Sequence, residues 1–203
     1  TVPMVRALRT AAPELVPRFS SAFSGHLVDW IRRGEVDVAL SYDPPPSRSL
    51  TSRVVLIESL LLVGSAEAGL RLDRPVPFSA LGGMAIVLPS APHGLRAILE
   101  TCAAEAGIAL NTSVEVDSYN PMVELVRGGL GCTILPLPPI FDMVRSGQLT
   151  AAPLTGPTPE RKLAIVFASD RPVSPAARFV GEKFAAIAAE LAGSGVWLGR
   201  LAE

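Results

Sequence analysis

The chain has little charge, few aromatic residues and almost no cysteine, histidine or lysine. Charged residues make up 18% of its 203 positions and aromatics 5%, with two cysteines and two histidines. A formal net charge of -1 excludes the basic footprint with which a domain grips nucleic acid through phosphates, so these residues alone are not expected to bind DNA strongly. Cys102 and Cys132 form no CxxC pair and have no histidine cluster near them. Neither a disulfide framework nor a zinc site is expected, and a reducing, cytoplasmic setting is the default. No apolar run reaches the roughly 18 residues of a membrane span, and no basic, then apolar, then small-residue leader opens the chain. The expectation is a soluble chain without membrane contact or export.

Motifs that carry catalysis are missing too. There is no GxSxG to lift a serine out of a strained elbow, no GxxxxGK[ST] and no HExxH. Gly128, Gly129 and Gly131 come after a helical pattern, so they cannot cradle phosphate at a helix start. His26 and His93 have no partner at a motif spacing, and Arg96, one turn into a helix, reads as an anion clamp or as a cross-element ion-pair partner. No catalytic residue, metal or cofactor is expected.

What is present is apolar material in alternating periods. Hydrophobic residues make up 49% and the mean hydropathy is +0.39, ample for a core. Helical and strand patterns alternate as in an α/β protein with a parallel sheet built from βαβ units. Met4, Ala7, Leu8 and Ala11 make one helical stripe, and "LVPRFSSAF" at 15–23 reads as an edge strand. Ser24 suits an N-cap, Gly34 a helix stop, and "EVDVALSY" a strand ending at Pro44-Pro45-Pro46. "RVVLIESLLLVGS" at 53–65 reads as one long strand, and the Pro- and Gly-rich stretch 66–83 as the internal boundary. "MAIVLP" is a buried strand and "PHGLRAILETCAAEAG" a helix closed by Gly107, while "VEVDS" and "CTILP" are strands on either side of a short helix. A further helix covers about 139–146, "KLAIVFAS" is a strand, and a last helix begins near Ser174 with Ala177, Val180, Phe184, Ile187 and Leu191 inward.

Small polar residues stand at four of these helix starts: Thr1, Ser24, Ser90, and the turn Ser118-Tyr119-Asn120. Each start leaves backbone N–H groups unpaired and carries partial positive charge. Two readings stay open, ordinary caps or a joint receptor for a carboxylate or phosphate at the carboxyl ends of strands.

Four segments, "FSGHLVDWIRRGEVDVALSYDPP", "IVLPSAPHGLRAILE", "SYNPMVELVRGGLGCTILPLPP" and "LAIVFASDRPVSPAARFVGEKFAAI", resemble in order and spacing the effector-binding domain of LysR-type transcriptional regulators. The resemblance covers nearly the whole chain, and "LPSAPHGLR" is similar to the nitrogen assimilation control branch. It implies two Rossmann-like subdomains with a cleft, as in periplasmic binding proteins of type II: 1–64 with 164–203, and 65–163. It implies a small, anionic effector in the cleft, held by hydroxyls and backbone amides. The matching positions are Thr1, Ser24, Ser90, His93, Ser118, Tyr119 and Asn120. It also implies a homodimer or homotetramer that reaches DNA only through an N-terminal winged helix-turn-helix, which these residues lack. The chain opens on Thr1 and a helix, with no strand before it, so it reads as cut from something longer. A transport solute-binding protein is the alternative on the same fold. An enzyme is a third reading, with only His93, Asp117 and Arg96 as titratable candidates.

Overall fold

The computed structural model describes residues 1–22, 24–91 and 93–202. In chain order the helices are α1 (Val2–Ala11), α2 (Ser24–Arg33), α3 (Gly94–Glu105), α4 (Tyr119–Arg127), α5 (Phe141–Arg145) and α6 (Pro175–Gly193). The strands are β1 (Ala39–Tyr42), β2 (Leu50–Ser59), β3 (Leu61–Ser65), β4 (Val76–Pro77), β5 (Ile86–Leu88), β6 (Thr112–Glu115), β7 (Thr133–Leu135), β8 (Leu149–Thr155), β9 (Glu160–Ala168) and β10 (Gly199–Leu201). The chain divides into two compact units. Unit 1 holds Thr1–Ile57, Lys162–Gly195 and the residues from Gly199, and unit 2 holds Glu58–Arg161 and Val196–Leu198.

Unit 1 is built on the sheet order β1-β9-β2-β10, with β1 antiparallel to β9 and Ala39 opposite Val166. Its core gathers Ile31 of α2, Ala39 of β1 and Ala164, Val166 and Ala168 of β9. The turn after α2 closes on Gly34, whose N–H reaches the Ile31 carbonyl at 3.1 Å. The Arg171 guanidinium donates to the carbonyls of Ile31 and Arg32 in the last turn of α2.

Unit 2 carries the order β4-β8-β3-β7, and a parallel bridge from Ile86 to Cys132 places the β5-β6 pair beside β7. β3 is buried on both faces, and this explains its unbroken apolar run. Leu60 and Leu62 pack with Leu95 and Leu99 of α3 and with Phe78, Leu81 and Leu154. Leu61 and Val63 pack with Met122 and Val126 of α4 and with Ile140 and Leu149. Each fully buried leucine of this kind contributes about 1.5 to 3 kcal/mol.

The sheets are mixed rather than parallel. β3 runs antiparallel to both β7 and β8, while β5 with β6 and β4 with β8 are parallel. The long apolar run is two strands, because at Leu60 the chain turns its amide to Pro159 (3.0 Å) between β2 and β3. The change of unit at Ile57/Glu58 falls inside that run, and the stretch 66–83 lies within unit 2. Residues 15–22 form no strand and lie largely exposed, with Val16 92% accessible, while Phe23 lies outside the described residues. β8 was not anticipated, since its "LTAAPLT" is rich in alanine with an internal proline, a poor strand signal. α6 turns a small-residue face inward through Ala177, Gly181 and Ala188. A Cβ on Gly181 would stand 2.8 Å from the Phe167 ring, so a bulky face could not approach.

Candidate functional site

The parallel pairing of β5 and β6 brings both carboxyl ends to one edge of unit 2, where the Val116 amide donates to Leu88 (2.9 Å). From that edge the chain enters α3 through Ser90 and His93, and α4 through Asp117 and Ser118. The Asp117 carboxylate ties the two turns together, accepting from the Ser90 amide at 2.9 Å and from its hydroxyl at 2.7 Å. These two bonds hold the Asp117 carboxyl below the usual carboxylate range.

His93, not Ser90, is the N-cap of α3. Its Nδ1 accepts from the Leu95 amide at 3.1 Å, so this nitrogen carries no proton. Burial lowers the pKa of His93, the Arg161 guanidinium lowers it further, and Asp117 acts in the opposite direction. Pro92 lies outside the described residues. Ser118 caps α4 without a side-chain bond, and Pro121 leaves the first turn one donor fewer. Tyr119 and Asn120 are exposed. The Tyr119 hydroxyl donates to the Pro139 carbonyl at 2.8 Å, and burial pushes its pKa up. Unit 2 thus gathers Ser90, His93, Asp117, Ser118, Tyr119 and Asn120 at one edge.

Thr1 and Ser24 belong to unit 1. Thr1 is the exposed N-cap of α1 and makes no side-chain cap bond. Ser24 is the first residue of α2 rather than its cap, and its hydroxyl accepts from the Tyr42 amide at the end of β1 (3.1 Å). That bond fixes the hydroxyl oxygen and leaves its proton to donate elsewhere. Next to Tyr42, the fully buried Ser41 hydroxyl has no hydrogen-bond partner among the described residues.

Arg96 is engaged with protein carboxylates. Its Nε lies 2.6 Å from Glu100 and its Nη1 3.4 Å from Glu115, which is the cross-element role. Sequence reasoning missed Glu58, Arg161 and Trp197. Glu58 is fully buried, with one carboxylate oxygen bound by Arg161 and the other by the Trp197 indole N–H at 2.6 Å. Cys102 sits in the unit 2 core, and burial pushes its thiol pKa up. Among the described residues no three histidine, cysteine or acidic side chains are grouped to hold a metal, and no helix is long and apolar enough to cross a membrane.

A family model described as the LysR substrate binding domain matches residues 1–186. The chain belongs to that family. This LysR substrate-binding domain is 33% identical over 142 residues to the HTH-type transcriptional regulator BbuR of Bordetella bronchiseptica, covering 70% of this chain and 44% of that protein. It is 22% identical over 182 residues to the nitrogen assimilation regulatory protein nac of Klebsiella aerogenes, covering 90% and 59%. The domain therefore spans about half the length of these curated relatives, which are named as regulators and not as enzymes.

Solved structures show the same fold at 14 to 24% identity. The C-terminal domain of a probable LysR family transcriptional regulator from Rhodococcus sp. RHA1 superposes with TM-score 0.75 at 24% identity, over 90% of each chain. The CcmR regulatory domain of Synechocystis PCC6803, in complex with 2-PG, gives 0.79 at 14% identity over 91% and 88%. The effector binding domain of QuiR, in complex with shikimate, gives 0.75 at 17% identity over 91% and 88%. The LysR substrate-binding domain described here is α/β, with the two-subdomain fold of periplasmic binding proteins of type II.

Proposed function

We propose that this LysR substrate-binding domain senses a small anionic metabolite for a transcriptional regulator. Its effector signals by preferring one arrangement of the domain over another, and the intact regulator passes that preference to DNA through an N-terminal helix-turn-helix. Such a ligand shifts an equilibrium only by its differential affinity for the two states, so tight binding alone does not signal. A homodimer or homotetramer is the assembly this mechanism uses.

The observation that carries the reading is the Ser90–Asp117 contact. An amide and a hydroxyl converge on one carboxylate, 2.9 and 2.7 Å away, in the turn that leads into α3. That is a carboxylate receptor in chemical terms, and Asp117 serves as its internal occupant. An effector carboxylate replaces Asp117 on Ser90, with the start of α4 at Ser118, Tyr119 and Asn120 and the neutral His93 supplying further polar contacts. The ligands bound in the structural neighbours, 2-PG and shikimate, support a small-molecule effector.

The test is a thermal-shift screen of small carboxylates, phosphates and sulfate. A ligand at 100 times its Kd stabilises the fold by about 2.7 kcal/mol, which for about 200 residues raises Tm by about 5 to 10 °C. One carboxylate class should shift the domain. Ser90→Ala should weaken that shift without unfolding the domain, and Asp117→Asn should strengthen it by removing the competing charge. No shift with any anion, or a shift unchanged in Ser90→Ala, refutes the reading.

A further inference from the structure

The last residues of the chain lie beyond the stretch that the family model matches, which ends at 186. They do something the rest of α6 does not. α6 belongs to unit 1, residues 196–198 belong to unit 2, and from Gly199 the chain belongs to unit 1 again. The chain therefore changes unit within β2, within β9, and twice more in this short tail.

Each part of the tail is bonded to its own unit. In unit 2, the Ser59 amide donates to the Leu198 carbonyl at 3.0 Å, and the Leu198 side chain packs against the cluster of Leu61, Met122 and Leu149. Trp197 goes deeper, placing its indole N–H 2.6 Å from Oε2 of the fully buried Glu58, whose other oxygen is held by Arg161. In unit 1, β10 adds to the sheet beside β2, and the Ala202 amide donates to the Val55 carbonyl at 3.2 Å. A segment held only by chance contacts would not satisfy a buried carboxylate.

We propose that residues 196–202 form a strap, anchored at Trp197 on Glu58 and at β10 on β2, that limits the freedom of the two units to move with respect to one another. Two crossover strands alone allow hinge motion at a few residues, whereas a further pair of crossings fixed at both ends removes conformations from that motion. The strap sets how far an effector can displace the domain, whatever that effector is, so it stands independently of the anion reading.

The test measures the spread of separations between the units by pulsed electron spin resonance. Nitroxide labels go on Arg9→Cys in α1 and Glu105→Cys in α3, both exposed, in a background carrying Cys102→Ala and Cys132→Ala. Three chains are compared: the parent, Trp197→Phe, which keeps an aromatic ring and loses only the N–H donor, and a chain ending at Gly195. A label pair within unit 2, on Glu105→Cys and Arg127→Cys, reports whether that unit is intact. The strap predicts that both altered chains widen the distribution between units at least twofold while the pair within unit 2 stays as in the parent. An unchanged width between units, even with a lowered Tm, overturns the proposal, because a tail that only packs locally gives that result. Trp197→Phe decides alone if the shortened chain does not fold.

Discussion

Substituting Gly131 by alanine tests how unit 2 is joined. Gly131 has φ +148°, and a Cβ built there stands 2.8 Å from the Ala85 carbonyl oxygen. The same oxygen accepts the Cys132 amide at 2.9 Å, and the Val87 amide in turn donates to Cys132 at 2.7 Å. These two bonds hold β5 beside β7, so relief of the clash opens the sheet where the pair β5-β6 attaches. Backbone strain costs about 1 to 3 kcal/mol. Two weakened backbone hydrogen bonds cost about 1 kcal/mol each. The total is about 3 to 5 kcal/mol, which at about 2 to 3 kcal/mol per molar urea lowers the unfolding midpoint by about 1 to 2.5 M. Gly129→Ala is the comparator, for Gly129 has φ +74° with open space around it, so only the left-handed cost of about 1 to 2 kcal/mol applies. A Gly131→Ala midpoint no lower than that of Gly129→Ala refutes the reasoning.

Three further outcomes are expected. The depressed pKa of His93 means that the unfolded chain binds its proton first as pH falls. Stability should therefore decline below about pH 6.5, and urea midpoints should show a smaller decline in His93→Asn, which keeps a cap acceptor for Leu95. Ser174 caps α6 by accepting from the Ala177 amide at 3.1 Å, so Ser174→Ala should cost about 1 kcal/mol by the same assay. Ser41→Ala removes a buried hydroxyl without a partner among the described residues and should raise stability by about 1 kcal/mol, and a loss instead would show that the hydroxyl is bonded in solution.

Legibility followed the range of the forces involved. Elements set by local periods were readable: α3, with Leu95, Leu99, Cys102 and Ala103 on one face, and the Gly107 stop after it. The end of α4 was equally plain, since its glycines are there to bond back, Gly129 to Val126 at 3.0 Å and Leu130 to Leu125 at 3.0 Å. Elements that depend on partners were not readable. "LVPRFSSA" has strand-like residues but pairs with no strand among the described residues, and a strand without a neighbour has no ladder to form. β8 shows the converse, with weak strand formers held in place by β3 on one side and β4 on the other. Glu58 could not be singled out either, because its partners Arg161 and Trp197 lie 103 and 139 residues away.

The candidate site shows the same limit at finer scale. Polar residues before helices are visible in any sequence, but whether their donors are already engaged depends on strand register. β5 and β6 pair Ile86 with Thr112 but Val87 with Val114, so one residue, Ser113, is passed over in a bulge. That single step sets Leu88 opposite Glu115, and two residues further on Ser90 meets Asp117. In an unbulged register the residue beside Ser90 would be Val116, the receptor would have no internal carboxylate, and its amide and hydroxyl would face solvent. The bulge is thus what makes effector binding at Ser90 a competition with Asp117. Because competition depends on the charge of the occupant, Asp117→Asn should raise anion affinity and Asp117→Glu, which keeps the charge, should not.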